Sequence, residues 1–298
     1  MGASRQDGIN EKQKRLTVAF GLWGGVIIAA ILLVTTVWVL GSARAGTGQA
    51  VSKVSEFYLE ELAGRRARVV SEQLRSNVTN MENALTVLEA SDLVSQSALR
   101  RYLGKMTRLY GVDKFALVDE NGIVYAEHST TSGLSRYPFL AQELTEPVLM
   151  MSNLYGAKKQ VIQAVPVEGV YFRGVKMRAC FIQVNVSEML ETLALETGDN
   201  ETYCNIYYRN GESLTNNTFG YLTAGNNILS ALGEAEMEPG SSYEQLAGDF
   251  ASGNAGQASF RYHGIREDLC YRPVEGTDWM LTILIRDNVI SEQIGSIS

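Results

Sequence analysis

Residues 128–139 read His128-Ser129-Thr130-Thr131-Ser132-Gly133-Leu134-Ser135-Arg136-Tyr137-Pro138-Phe139 and mix hydroxyls, one guanidinium and aromatic rings in a short span. That mixture suits a small polar solute. Arg136 can hold a carboxylate through two parallel N–H···O bonds, Tyr137 and Phe139 can wall a site, and His128, Ser129 and Thr130 can orient a guest. Tyr125 upstream, with Asn153 and Tyr155 downstream, can face the same space, although one residue of strand register would turn any of them away. The plainer alternative is a polar surface loop in which Pro138 opens a helix and Phe139 and Leu140 enter the core.

Signatures of catalysis are missing. The two histidines, His128 and His263, lack the HExxH spacing of a zinc protease. No GxSxG elbow, GxxxxGK phosphate loop or dinucleotide glycine pattern occurs, and no carboxylate pair stands out from an acidic surface. No catalytic residue, metal site or cofactor is therefore expected, and the chain is read as a binding protein without enzymatic activity of its own. Three cysteines, Cys180, Cys204 and Cys270, with no CxxC spacing, indicate buried free thiols. Cys204 and Cys270 could pair in an oxidising compartment. With a formal charge of −7 and its Lys and Arg dispersed among carboxylates, the chain is not built to neutralise nucleic-acid phosphates.

These groups need a scaffold, and its first part is apolar. Leu16 to Leu40 is an uncharged run preceded by Lys12, Lys14 and Arg15. At about 1.5 Å per residue it spans roughly 37 Å, enough to cross a hydrocarbon core of about 30 Å, and the basic flank predicts a cytoplasmic N-terminus (1–15) before the transmembrane helix (16–40). Residues 47–110 then read as stalk and packing helices. Apolar residues recur at Val51, Val54, Tyr58 and Leu62, and again at Val70, Leu74, Val78, Met81, Leu85 and Leu88, with Arg66 interrupting. The heptad-like steps fit either a second copy or the helix's own domain. A second helix with Leu99, Tyr102, Leu103, Met106 and Leu109 on one face ends at Gly111.

Beyond Gly111 the period shortens to that of strands. Phe115–Val118, the turn at Asn121-Gly122 and Ile123–Ala126 read as a hairpin. Val148–Asn153, Gln160–Val167 and Lys176–Val186 follow as strands, with a helix from about Ser187. An internal echo then organises the rest. Tyr203–Tyr208 and Asn210-Gly211 repeat the first strand and turn, and Pro166-Val167-Glu168-Gly169 recurs as Pro273-Val274-Glu275-Gly276. Two modules of similar plan are expected, at 111–195 and 196–290, each an antiparallel sheet flanked by helices in an α+β fold. In the second, Tyr243–Phe250 reads as helix and Ala258–Tyr262 as strand. Residues 291–298, with Ile290, Ile294 and Ile297 at helical spacing, read as the start of a helix returning to the membrane.

This layout resembles the double Cache sensor domains of bacterial receptors, in which two tandem PAS-like modules follow a membrane helix and a stalk. The likeness covers roughly residues 45–298. It is carried by Phe115-Ala116-Leu117-Val118-Asp119-Glu120-Asn121-Gly122 and by Pro273-Val274-Glu275-Gly276-Thr277-Asp278-Trp279-Met280-Leu281. The resemblance implies an extracytoplasmic input region on the cell membrane, dimeric through its stalk helices. Its membrane-distal module (111–195) would bind a small polar or anionic ligand under a lid, and its proximal module would relay the change to an output module, foremost a histidine kinase. Amino-acid-binding members carry Trp-Tyr after the lid arginine. Here Arg136 is followed by Tyr137-Pro138-Phe139, so recognition of amino acids is not implied. Input to a diguanylate cyclase or chemoreceptor, and a tethered adhesion or scaffold protein, are the alternatives.

Overall fold

The computed structural model describes residues 56–133, 136–141, 143–155, 158–186, 189, 202–215 and 227–286, without the side chains of 153–155, 158 and 202. The expected membrane span, Val51, Val54, the helix after Ser187 and the returning helix fall outside the described residues. Among the described residues no helix is long and apolar enough to cross a membrane. Two compact units divide the chain between Tyr58 and Leu59, and the second, Leu59–Ser298, carries both sheets.

Helix α1 covers residues 56–86. Leu59, Ala63, Ala67, Val70, Leu74, Asn77, Met81 and Ala84 are buried at steps of three and four, which keeps one face of the helix on the protein. Three of these are alanines, which let the backbone approach the sheets closely. Of the stripe named from sequence, Val70, Leu74 and Met81 are buried, whereas Tyr58 is exposed. Arg66, expected only to interrupt the stripe, is itself buried beside Cys204. Helix α2, Gln96–Tyr110, starts at Ser95, whose hydroxyl accepts from Ala98 N, and stops at Gly111 with φ of 61°. Leu99, Tyr102, Leu103 and Met106 are buried as expected, but Leu109, in the last turn, is exposed.

Twelve strands follow in two sheets. The first sheet comprises β1 (Lys114–Asp119), β2 (Ile123–Ala126), β3 (Thr130–Ser132), β4 (Val148–Tyr155), β5 (Lys158–Pro166), β6 (Tyr171–Phe172) and β7 (Val175–Asn185), in the order β3-β2-β1-β7-β5-β4 with β6 paired to β7. The second comprises β8 (Thr202–Tyr208), β9 (Glu236–Met237), β10 (Gly256–Tyr262), β11 (Ile265–Pro273) and β12 (Trp279–Arg286), in the order β8-β12-β11-β10-β9. Two short helices, α3 (Ile228–Leu232) and α4 (Tyr243–Ser252), belong to the second sheet.

The sequence echo is a structural one. β1 and β8 each end in an Asn-Gly turn, with Gly122 at φ 76° and Gly211 at φ 83°, a backbone that favours glycine. After the second of these turns, residues 213 and 214 run back along β8. β5 and β11 each end at the Pro-Val-Glu-Gly turn, where Gly169 and Gly276 again have positive φ. Both sheets thus share one strand order, with β1, β7, β5 and β4 matched by β8, β12, β11 and β10.

The helix side of both sheets is covered by α1. Its first half packs on Ile206, Trp279, Leu281 and Ile283 of the second sheet and on Val161 of the first, and its second half joins α2 over Phe115, Leu117, Cys180 and Ile182. Polar bonds fix its register: Asn77 Nδ2 donates to Gln163 Oε1 (2.8 Å), Gln163 Nε2 to Leu74 O (2.9 Å) and Ser71 Oγ to Glu275 O (3.1 Å). The buried part of the stripe is therefore satisfied within the chain.

All three thiols are free, and Cys180 and Cys270 are buried. The pairing of Cys204 with Cys270 is corrected by register. Both sit opposite Ile283, one on each side of β12, so they are two strand spacings apart. That is roughly 9.6 Å, beyond the reach of a disulfide of about 7 Å between Cα atoms. Burial pushes the Cys270 thiol up to about 11, and neighbouring Arg272 only partly offsets this.

Candidate functional site

The face of the first sheet opposite α1 carries the candidate site. Alternation along the strands places Ala116 and Val118 of β1, Val124 and Ala126 of β2, Ile162 and Ala164 of β5, and Ala179 and Phe181 of β7 on this face. Tyr137, Phe139, Leu140 and Leu144 lie over it. Gly133 N donates to Gly122 O (2.8 Å), and a Cβ at Gly133 would stand 2.4 Å from Val124 Cγ2, so only glycine lets the chain come down this close. A single turn at Pro138–Ala141 then drives Tyr137 and Leu140 inward. Tyr137 packs in a tilted arrangement with its ring centre 4.7 Å from that of Phe181, and Phe139 meets the same ring edge-on at 5.8 Å. Arg178 at the bulge of β7 donates to Leu140 O and ties the lid down.

At one end of this face the apolar cover gives way to amides. Register sets Lys114 opposite Gln183, Gln160 opposite Asn185, and Ser152 opposite Gln160, all in phase with the lid-facing residues. Gln160, Gln183 and Asn185 are buried, and Gln183 is 2% exposed. Gln183 Nε2 donates to Gln160 Oε1, while Gln183 Oε1 is buried without a hydrogen-bond partner among the described residues. Leaving such an oxygen dry and unpaired costs about 1–3 kcal/mol. Lys114 Nζ donates to Tyr137 Oη (3.2 Å) and lies 5.9 Å from that ring's centre, so the ammonium links the aromatic and amide ends. A solute here would meet one cation, amide donors and acceptors, and an aromatic wall. Among the described residues no cluster of His, Cys, Asp or Glu is arranged to hold a metal ion.

The sequence candidates distribute unevenly about this site. Tyr137 and Phe139 come together on the lid face, beside Lys114. Arg136 is exposed, because the turn that seats Tyr137 inward sends its neighbour out. Tyr125 faces the opposite side, since Val124 and Ala126 take the lid face. It packs edge-on against Phe172 at 5.4 Å and donates to Asp119 Oδ2 (2.9 Å). Burial, then that carboxylate, pushes its phenol up to about 12. His128 stands exposed at the β2–β3 turn, 3.5 Å from Glu127. Ser129 O accepts from Ala126 N in the same turn, and Thr130 Oγ1 accepts from Gln96 and Arg100 on the α2 side. Asn153 and Tyr155 lie on β4, with side chains outside the described residues.

Lys114, Gln160, Gln183 and Asn185 escaped sequence reasoning. Their signal was present, as amides at alternate positions within apolar strands, but only the pairing of three strands brings them side by side.

No protein-family model matches the chain, and no curated protein matches it. Solved structures do. The extracellular domain of the histidine kinase mmHK1S-Z3 superposes with a TM-score of 0.57 at 13% identity, covering 83% of this chain and 99% of that one. The sensory domain of the Campylobacter jejuni chemoreceptor Tlp3 gives 0.52 at 10% identity, covering 82% and 98%. The ligand-binding domain of the Pseudomonas aeruginosa amino-acid chemoreceptor PctB, solved with L-Arg, gives 0.51 at 15% identity, covering 80% and 97%. At these identities the likeness is one of fold, and it takes in nearly the whole of each partner. The described chain therefore has the fold of the extracellular sensor domains of histidine kinases and chemoreceptors, as the double Cache resemblance in its sequence implied.

Proposed function

We propose that this chain is the ligand-sensing input region of a bacterial transmembrane receptor, foremost a sensor histidine kinase. Residues 16–40 anchor it, and the first module (111–195) binds a small polar or anionic solute outside the cytoplasm. The observation that carries this reading is the row of buried amides on the lid face of the first sheet, with Gln183 Oε1 unpaired among the described residues and Lys114 beside it. A small solute that pairs these groups supplies the hydrogen bond that Gln183 Oε1 does not find among the described residues. The same solute, touching both lid and sheet, favours the lid-closed arrangement by whatever it binds more tightly there. Helix α1, bonded to both sheets, is the element that passes such a bias from one module to the next, and paired stalk helices of a dimer carry it onward. In this reading Tyr137 and Phe139 form the wall, Arg136 stands at the rim, and Asn153 and Tyr155 border the amide end. Input to a chemoreceptor is the second reading, favoured by the likeness to Tlp3 and PctB.

The test is a thermal-shift screen of the full chain against organic acids, amines, amino acids and purines. A hit is expected whose stabilisation disappears in Lys114→Met and Gln183→Leu and persists in His128→Ala. A screen without such a hit, or a hit indifferent to both substitutions, removes the site.

A further inference from the structure

A cavity lies away from the lid, in the cleft between the two sheets. Its volume is about 600 Å³, within the range of small-molecule sites. One wall is the β4–β5 edge of the first sheet, with Met151 and Lys159; the other is the end of β8, its turn and the β11–β12 turn of the second, with Tyr208, Glu212, Leu214 and Asp278.

The two walls carry opposite charge. Lys159 Nζ reaches across the cleft and donates to Ser213 O, which leaves further ammonium protons for a guest. Neither the Glu212 nor the Asp278 carboxylate has an ion-pair partner among the described residues. Both act on the Tyr208 phenol, which burial first and then Asp278 and Glu212 push up to about 12, so the hydroxyl stays a neutral donor between them. Arg209 also lines the cleft, with no ion-pair partner among the described residues and its Nε buried and unpaired. It lies against the end of α4, where a Cβ at Gly253 would stand 2.7 Å from Arg209 Cζ, and one of its nitrogens is 3.5 Å from Thr277 O. The charges on the walls are therefore an ammonium on the first sheet and, on the second, two carboxylates with the Arg209 guanidinium beside them.

A solute with one charge would satisfy one wall and leave the other unmatched, whereas a solute with an ammonium and a carboxylate matches both. Met151 and Leu214 supply an apolar wall for the carbon chain between those ends. We infer that the inter-sheet cleft is a second solute site that takes a small zwitterion, its carboxylate on Lys159 and its ammonium on Glu212 and Asp278. Such a guest bridges the sheets directly, alongside the Lys159–Ser213 bond, and so holds them in one relative setting. The inference does not rest on the lid site, whose residues it does not share.

Calorimetric titration of the full chain with ω-amino acids from glycine to 6-aminohexanoate tests it, with butyrate and n-butylamine as single-charge controls. At least one ω-amino acid is expected to bind saturably and at least about tenfold more tightly than either control. Lys159→Met and Asp278→Asn should each weaken it by about tenfold or more, Lys159→Arg should retain it, and Gln183→Leu should leave it unchanged. The inference is overturned if no member of the series binds, if the controls bind equally well, or if Lys159→Met and Asp278→Asn bind like the parent. It is overturned as well if Gln183→Leu abolishes binding, because the zwitterion then occupies the lid site. Since Lys159→Arg keeps the cation, its loss of binding in a chain that melts normally also counts against the assignment.

Discussion

The outer faces of the two sheets begin from one plan and diverge at a single row of residues. On the first sheet Gln160 sits opposite Asn185, and on the second Glu267 sits opposite Arg286 at the equivalent register. Gln183 of β7 is likewise replaced by Leu284 of β12, and Lys114 of β1 by Tyr203 of β8. The second sheet then closes on itself. Arg286 Nε donates to Glu267 Oε1 at 3.2 Å and its guanidinium lies 5.3 Å from the Tyr203 ring, while Phe250, Phe260 and Leu246 fill the space beneath α4. The first sheet keeps neutral amides there, under a loop rather than a helix. Each row keeps one buried oxygen without a hydrogen-bond partner among the described residues, Gln183 Oε1 and Glu267 Oε2, so the difference that separates them is charge: the second sheet joins a carboxylate to a guanidinium, and the first holds neutral amides that a neutral or charged guest can pair.

The largest expected effect comes from breaking the ion pair of the second sheet. Glu267→Ala leaves Arg286 without its buried partner and should cost about 3–5 kcal/mol. The equivalent Gln160→Ala should cost only about 1–3 kcal/mol. Chemical denaturation of both variants measures the gap, and equal costs would erase the contrast between the sheets.

Next, Gln183→Leu makes the first sheet resemble the second, which has Leu284 at that place. Removing the unpaired Oε1 offsets the loss of the Gln183 Nε2–Gln160 Oε1 bond, so stability should stay within about 1 kcal/mol of the parent while ligand-induced stabilisation ends. A fall of several kcal/mol would show that the amide serves the fold rather than a guest.

A smaller effect is set by pH. Burial raises the Glu267 carboxyl above its ordinary value of 4.5, and Arg286 only partly offsets it. The folded protein therefore holds this proton more tightly than the unfolded chain. Its contribution to stability is fully present below about 4.5 and is lost as pH climbs through the raised value. Melting curves from pH 4 to 7 should show this decline in the parent and a flatter profile in Glu267→Gln. The smallest effect belongs to His128→Ala, within about 0.5 kcal/mol, because that side chain stands in solvent.

The strands, their turns and the repeat were legible because alternation, Asn-Gly and Pro-Val-Glu-Gly are local signals that the chain honours locally. Gly111 marked the end of α2 for the same reason. What was not legible depends on pairing between distant strands. Arg136 and Tyr125 looked suitable by type, yet one residue of phase put the first in solvent and the second on the helix side. Lys114, Gln160 and Gln183, separated by dozens of positions, converge only through the β1-β7-β5 order. The stripe on α1 was ambiguous because a helix packed on its own sheets and a helix packed on a copy of itself require the same spacing.

The most direct measurement is the crystal structure of the full chain with a hit from the thermal-shift screen bound. The account predicts ligand density between Lys114, Gln160 and Gln183, roofed by Tyr137 and Phe139, with a polar ligand atom bonded to Gln183 Oε1. Density for that hit solely on the second sheet or outside the lid, with Gln183 Oε1 still unpaired, would contradict it.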